Sequence, residues 1–397
     1  MKKYTLKEKI MAVGPGMMVV GSFIGPGTIT SSTRSGATFG YQLLWCVVFS
    51  VIAVCVLQGM AARLGIVTQK GICENITGHL ADKPALKSLV CLLIALPIAL
   101  GGFAYMGSDL TGTAMGLSAL TGIPTNIIAA IWGVCIIFIT FRANAIKRVE
   151  KLLTVCVSIM ALVFVVTMFV SKPNWGEVFQ GFIPHVPDGA ILTCVSLIGT
   201  TVVPYNLFLH ANSASRSWKD PDHIPLANFD CVCSMVVGGI VTASVLITSG
   251  TVMRGLTVSN AYDMAKQLEP LLGNLAGPFM AVGLIAAGVS SAVITPLGVS
   301  YVLAGLYGWR YDDKTDKRYM TSYMSVIIFG IIIAASGVSP TLIIMFAQGF
   351  NGVFLPISVA VLVYLSSSKK IMGEYKNKPL EIILDHKQGA QLNCARK

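Results

Sequence analysis

Two stretches of the sequence decide how this chain folds: GSFIGPGT at residues 21–28 and GTTVVPYN at residues 199–206. Each brings glycine and proline into an apolar run that is otherwise long enough to form a membrane helix. Proline lacks an N–H and clashes with the preceding turn, and glycine lowers the cost of unwinding. Because the freed backbone groups cannot face lipid, both stretches predict discontinuous helices that border a protein-enclosed cavity.

The composition indicates a membrane protein. The 397 residues are 54% hydrophobic and only 12% charged, whereas soluble domains carry about 25% charged residues. Hydrophobic windows of about 20 residues predict an all-α polytopic membrane protein with about ten transmembrane helices, which we call helix one to helix ten. Their predicted limits are 11–33, 41–62, 87–120, 125–141, 152–171, 188–213, 229–254, 276–306, 320–336 and 340–368.

The two interrupted helices are the first and the sixth, so each opens one half of the series. Matching breaks are expected of an inverted-repeat transporter with its binding site near the bilayer midplane. We therefore predict a 5+5 inverted repeat, with repeat one over about 11–171 and repeat two over about 188–368. Residues 1–368 form the predicted transmembrane domain and 369–397 a short polar cytoplasmic tail. The alternative, a pair of simple proline kinks, stays open.

Basic residues predict the orientation in the membrane. With a cytoplasmic N-terminus, 25 of the 29 Lys and Arg residues fall in cytoplasmic loops or in the tail. The four outside are Arg34, Lys172, Arg254 and Lys266. An excess of Lys and Arg marks cytoplasmic loops. The sequence thus predicts a multi-pass protein of the cell membrane (plasma or inner) with both termini cytoplasmic. The same placement explains the net charge of +11 without a nucleic-acid partner.

Few ionisable side chains fall within the predicted helices. Asp109, in YMGSDLTG of helix three, is the clearest membrane-embedded acid, and such a residue is a functional-site hypothesis. Pairing with nearby hydroxyls is the alternative. His210 follows the second break and is a candidate proton relay. Asp230, at the start of helix seven, is expected to be interfacial. Gln348, in helix ten, offers a neutral oxygen.

The sequence argues against an enzyme. It contains no nucleophile–base pair, metal-ligand cluster or nucleotide-binding loop, and its ten cysteines include no CxxC pair. Cysteines placed singly in apolar runs are expected to be small packing residues. No cofactor is predicted.

Several segments resemble the Nramp family of divalent-metal transporters, which has a LeuT-type fold. GPGTITSSTRSGATFGYQLLW from residue 25 and QGMAARLGIVTQKG from residue 58 resemble its first two helices. GLSALTGIP resembles the end of the third helix, and TTVVPYNLFLH resembles the sixth. The resemblance implies a symporter that moves metal ions by alternating access, taken here as a monomer. After KKIMGEYKN the tail is too polar to span, so the family's eleventh helix is expected to be missing.

The substrate site departs from the family. The family's Asp-Pro-Gly-Asn motif of helix one reads Gly25-Pro26-Gly27-Thr28, and its Met-Pro-His motif of helix six reads Val203-Pro204-Tyr205. The usual Asp, Asn and Met metal ligands are therefore replaced by Gly25, Thr28 and Val203, which leaves the metal ligands uncertain.

Three further family positions are matched in other helices. An Asp and a Glu of helix three become Met106 and Asp109. The second histidine of helix six matches His210, and a glutamine of helix ten matches Gln348. Asp109 and His210 are the candidates for proton or charge handling. Whether Asp109 reaches the substrate site stays open.

The predicted substrate-binding set combines both breaks with one residue of helix ten. It comprises Gly25, Pro26, Gly27, Thr28, Thr200, Thr201, Val203, Pro204, Tyr205, Asn206 and Gln348. Loss of the soft thioether shifts preference from Mn²⁺ toward Mg²⁺, but loss of the aspartate disfavours any desolvated dication. The function predicted from the resemblance is transport of a divalent cation of the Mg²⁺ or Mn²⁺ class, partly hydrated. Two alternatives stay open: transport of a non-metal solute on the same fold, and a non-transporting membrane sensor.

Overall fold

The computed structural model describes residues 4–14, 16, 24–140, 143–310 and 316–377. Part of predicted helix one, the segment 311–315 and most of the predicted tail, including the position expected for an eleventh helix, lie outside the described residues. Throughout the described ranges the regular structure is helical, without a strand. The all-α fold class is confirmed.

Each of the ten predicted spans coincides with a helix. Their observed bounds are Pro26–Phe39 for the described part of helix one, Leu44–Thr68, Pro84–Thr121, Thr125–Thr140, Ala143–Val170, Ile191–Thr201 with Pro204–Ser217 for helix six, Ile224–Val252, Ala276–Tyr307, Lys317–Ala334 and Pro340–Ser367. Shorter helices connect or flank them at Leu6–Met11, Ile72–His79, Trp175–Gln180, Ala261–Ala265, Glu269–Leu272 and Lys369–Met372.

Six helical stretches in the described part of the chain are long and apolar enough to cross a membrane by themselves. They are formed by helices two, three, six, seven, eight and ten, where helix six counts with both its pieces. Helices four and five contribute shorter apolar stretches, Thr125–Phe138 and Val155–Val170. The chain is therefore a multi-pass membrane protein.

Both breaks have the local geometry that proline imposes. Gly25 is extended (φ −111°, ψ −173°) and Pro26 begins the helix that follows it. In helix six, the first piece ends at Thr201, Val203 is extended (φ −82°, ψ 123°), and Pro204 begins the second piece. Proline fits the first position of a helix because the N–H it lacks has no partner there, and it holds the preceding residue extended. The predicted break in helix six is confirmed.

Small residues let the broken helices approach their neighbours closely, as in other membrane helix pairs. A Cβ on Gly112 of helix three would overlap the ring of Pro26. A Cβ on Gly199 of helix six would collide with the backbone of helix ten, 2.6 Å from the amide nitrogen of Gly352. Helices one, three, six and ten therefore meet around the two breaks.

Candidate functional site

The two breaks are held together by a direct hydrogen bond. The hydroxyl of Thr28, just after the first break, lies 2.8 Å from the hydroxyl of Thr200, just before the second. Both side chains are buried. The positions that carry family ligands in helices one and six are thus neighbours in space, although they are 172 residues apart in the chain.

Gln348 of helix ten closes the same region. Its side chain is fully buried and fills the space where a Cβ on Gly27 would lie. Its amide nitrogen donates to the hydroxyl of Ser108 at 3.3 Å, whereas its buried carbonyl oxygen Oε1 has no hydrogen-bond partner among the described residues. A buried acceptor left without a donor costs about 1–3 kcal/mol. Gln348 Oε1 is therefore an oxygen available to water or to a cation.

Asp109 joins the site through a chain of hydroxyl groups. It is 1% exposed, and its Oδ2 accepts a hydrogen bond from the hydroxyl of Thr295 at 2.7 Å. The Thr295 oxygen lies 3.3 Å from the hydroxyl of Tyr205 in the second break. Because Thr295 uses its single proton for the carboxylate, Tyr205 must be the donor in this second bond. Ser291, one turn from Thr295, places a second hydroxyl beside Asp109.

The position of Asp109 answers the question that the sequence left open. Asp109 stands one turn before Gly112, the residue that packs on Pro26, so it lies on the side of helix three that faces the first break. Ser291 lies 3.6 Å (Oγ) from where a Cβ on Gly25 would be. The carboxylate therefore stands two hydrogen bonds from Tyr205 of helix six and across Ser291 from Gly25 of helix one.

His210 is buried away from these contacts. Its Nδ1 lies 2.8 Å from the side-chain oxygen of Gln58 in helix two, so Nδ1 carries the proton in this pair because an amide oxygen only accepts. Its Nε2 is buried without a partner in the described part of the chain. The ring is therefore tied to helix two, and none of its hydrogen bonds described here reaches a residue of the breaks.

The other predicted residues of the second break are also buried. The hydroxyl of Thr201 bonds back to the carbonyl of Leu197 at 3.3 Å. Val203 and Pro204 are buried, and Asn206 is 2% exposed. Of the predicted set, Thr28, Thr200, Tyr205 and Gln348 thus direct polar groups toward the other members of the site.

The donor set suits a partly hydrated dication better than a bare one. Within the described ranges, no group of three or more His, Cys, Asp or Glu side chains could hold a metal ion. One carboxylate, an amide oxygen and hydroxyl groups remain. Mg²⁺ commonly keeps several waters and binds through one or two carboxylates. A dehydrated dication beside a single buried carboxylate would be incompletely neutralised.

Sequence reasoning missed Ser291 and Thr295. They stand four residues apart in GVSSAVITP of helix eight, so both side chains point from one face of that helix. The spacing is a weak signal, because Ser and Thr in membrane helices usually bond to the carbonyl of their own preceding turn. Only the packing of helix eight on helix three shows that Thr295 binds Asp109 and that Ser291 lies beside it.

Asp230, predicted to lie near the membrane interface, is fully buried within the protein. Its two carboxylate oxygens accept the backbone N–H groups of Gly14, at 3.0 Å, and Gly16, at 2.7 Å. Ser234, one turn further along helix seven, also donates to it at 3.3 Å. Asp230 therefore holds the beginning of the predicted helix one against helix seven.

Two discontinuous helices that meet at a polar site, in a bundle of apolar spans, define a membrane transporter of the inverted-repeat class. The family described as natural resistance-associated macrophage protein-like (Nramp) matches residues 16–386. The chain therefore belongs to the Nramp family, whose members are transporters and not enzymes.

Individual relatives agree with this assignment. The chain is 27% identical to a natural resistance-associated macrophage protein 2 homolog of Dictyostelium discoideum, over 96% of this chain and 62% of the relative. It is 26% identical to the divalent metal cation transporter MntH of Caldanaerobacter subterraneus, over 96% of this chain and 90% of that one. The chain thus spans less than two thirds of the first relative and most of the second.

Solved structures show the same fold. The manganese transporter of Eremococcus coleocola superposes with a TM-score of 0.76 at 22% identity, over 96% of this chain and 85% of that one. MhsT, solved in complex with L-phenylalanine, gives a TM-score of 0.60 at 15% identity, over 94% and 92%. The predicted LeuT-type fold with its 5+5 inverted repeat is confirmed.

Proposed function

We propose that this protein is a secondary transporter that moves a divalent cation of the Mg²⁺ or Mn²⁺ class, partly hydrated, by alternating access. The observation that carries the proposal is the buried carboxylate of Asp109 beside both helix breaks. It supplies negative charge where the family's usual aspartate is replaced by Gly25. Relatives named as divalent metal cation and manganese transporters support the substrate class.

The roles follow from the contacts. The breaks supply backbone carbonyls and the hydroxyls of Thr28 and Thr200, and Gln348 supplies Oε1. These neutral oxygens replace part of the hydration shell, while retained waters fill the positions of the lost ligands. Asp109 neutralises part of the charge of the cation across the hydroxyl groups of Thr295 and Ser291.

Two separate side chains are assigned to proton handling. Asp109 can exchange a proton along the hydroxyls of Thr295 and Tyr205, because each hydroxyl both donates and accepts. His210, bonded to Gln58 of helix two, serves as a second proton-handling group on the cytoplasmic side of the second break. Cation entry and proton movement are thereby coupled in a symporter.

The proposal includes an arrangement in the membrane. Residues 1–368 form the transport unit with both termini cytoplasmic, and 369–397 form a cytoplasmic tail, as the distribution of Lys and Arg favours. The bilayer and the ion are the expected partners, the protein acts as a monomer, and it binds no nucleic acid.

The test is uptake into proteoliposomes, with Mg²⁺ and Mn²⁺ measured side by side against empty vesicles. We expect saturable uptake of at least one of the two, with Mg²⁺ preferred because no soft ligand remains. Uptake of neither ion by protein that elutes as a single folded species would overturn the proposal and move the search to non-metal solutes. Stronger uptake of Mn²⁺ than of Mg²⁺ would overturn the preference for a hydrated hard ion while leaving the cation class.

A further inference from the structure

A pocket lies at the end of helix one, away from the two helix breaks. Its volume is about 380 Å³, within the range of small-molecule sites. Three segments line it: the end of helix one, the loop after helix seven and the start of helix ten. Its polar side chains are Arg34, Thr38, Thr257, Ser259, Ser339 and Thr341. By the predicted orientation this pocket opens to the outside.

The polar lining of this outer pocket is one cation surrounded by hydroxyl groups. No carboxylate lines it. Asp263 accepts the backbone N–H of the lining residue Ser259 at 3.0 Å, but it already pairs with Lys266 at 3.6 Å. An arginine guanidinium with five N–H donors matches the geometry of a carboxylate or phosphate, and hydroxyl groups can donate to the remaining oxygens.

Arg34 differs from the other basic residues predicted to lie outside. Arg254 pairs with Glu177 at 2.9 Å and lies over the ring of Tyr41, and Lys266 pairs with Asp263. Lys172 is exposed. Arg34 is half-buried, and no acidic residue pairs with it in the described part of the chain. A partly desolvated guanidinium without a counter-charge is unfavourable. An anion from solution would supply the missing counter-charge.

A polar strip connects this pocket with the breaks. Gly27, Ser31, Arg34 and Thr38 share one face of helix one, because they recur at helical spacing. Gly27 faces Gln348, and Arg34 and Thr38 face the pocket. Between them, the hydroxyl of Ser31 is fully buried without a partner among the described residues.

We propose that the outer pocket is a binding site for a small oxyanion, a carboxylate or a phosphate, held by Arg34 and the surrounding hydroxyls. The bound anion neutralises the guanidinium at the mouth of the strip, so a cation no longer meets an unpaired positive charge there. The site stands whether or not the cation proposal holds, because its ligand and its residues are separate from those at the breaks.

Binding is tested on the purified full-length protein without any divalent cation. Isothermal titration with citrate, phosphate and chloride at fixed ionic strength separates oxyanions from simple charge screening. Citrate or phosphate is expected to bind and chloride is not. Which of the two oxyanions binds more tightly identifies the ligand chemistry. Arg34→Gln is expected to weaken binding about tenfold to a hundredfold, as for the loss of a charged hydrogen-bond partner.

Two further variants keep the test decisive. Lys172→Gln removes an exposed basic residue from the same predicted side and should leave the affinity unchanged. Arg34→Lys keeps the charge but loses the planar fork, so an intermediate affinity is expected. Absence of citrate and phosphate binding to the unmodified protein would overturn the proposal. Equal binding of chloride, or equal affinity after Arg34→Gln in folded protein, would also overturn it.

Discussion

Asp109 and Asp230 are both buried carboxylates in membrane helices, but their partners differ in kind. Asp230 accepts hydrogen bonds from two backbone N–H groups, of Gly14 and Gly16, in addition to the hydroxyl of Ser234. Asp109 accepts the hydroxyl hydrogen of Thr295, and the hydroxyl of Ser291 lies beside it. A hydroxyl can rotate and turn its oxygen toward a protonated acid or toward a cation, whereas a backbone N–H can only donate.

The difference separates a structural carboxylate from a responsive one. The backbone donors of Asp230 fix one geometry, as expected of a residue that holds the beginning of helix one against helix seven. The partners of Asp109 tolerate a change of charge, as expected of a residue that meets a moving ion. An acidic residue within a membrane helix is a candidate functional residue. The groups that donate hydrogen bonds to it indicate whether its role is structural or lies in transport.

The largest effect is expected from Asp109→Asn. The asparagine side chain keeps the shape of the aspartate, and its oxygen can accept a hydrogen bond from Thr295. The substitution removes the single buried carboxylate beside the breaks. Initial uptake into proteoliposomes should fall at least about tenfold, the loss expected for about 1.4 kcal/mol or more. Thermal stability should stay the same or rise, because a buried charge is removed. Asp82→Asn, which changes an exposed residue, is the matched control. Equal uptake by Asp109→Asn and Asp82→Asn would show that Asp109 has no part in transport.

Asp230→Ala should act on stability instead. It leaves the N–H groups of Gly14 and Gly16 without their acceptor, at about 1–3 kcal/mol for the buried N–H of Gly16 and less for the part-buried N–H of Gly14. The unfolding temperature of the purified protein should fall clearly, and amide exchange at these two glycines should accelerate. Uptake per folded molecule should fall less than in Asp109→Asn. A larger loss of uptake in Asp230→Ala than in Asp109→Asn would assign the transport role to Asp230 and the structural role to Asp109.

A third change adds a second carboxylate next to the first. Gly25→Asp, Thr28→Asn and Val203→Met together restore the family's ligand types in both breaks. Space exists at residue 25, since a Cβ there meets only ordinary contacts at 3.6 Å or more, and its φ of −111° suits any residue. Binding of Mn²⁺ should tighten at least about tenfold, measured by titration calorimetry. A folded triple variant that binds no Mn²⁺ would show that the site is wrongly placed.

The smallest effect is expected from Thr295→Val. The methyl group keeps the volume but removes the hydroxyl between Tyr205 and Asp109. Because the hydroxyl of Ser291 remains beside the carboxylate, uptake should fall only about threefold to tenfold, the loss of roughly one hydrogen bond. Thr242→Val, whose hydroxyl bonds to its own helix at 2.9 Å, is the matched control. An equal loss in both variants would mean that Thr295 has only a packing role.

The sequence by itself determined the class, the helices and the breaks. Apolar windows fix which segments must lie in lipid, and a proline inside such a window breaks its helix regardless of what packs beside it. The spans and the break at residues 202–203 were predicted from these local properties. The substitutions in the family's ligand motifs were also readable directly, at Gly25, Thr28 and Val203.

Only the tertiary structure decided which polar groups work together. Thr295 and Asp109 are 186 residues apart, and Asp230 and Gly16 are 214 apart. Pairings of this kind depend on how each helix is rotated and where small residues allow close approach, and a single sequence does not encode these in any local pattern. For that reason the sequence could identify Asp109 as unusual, while the hydroxyl that binds Asp109 and the backbone N–H groups that bind Asp230 became visible only in the packed bundle.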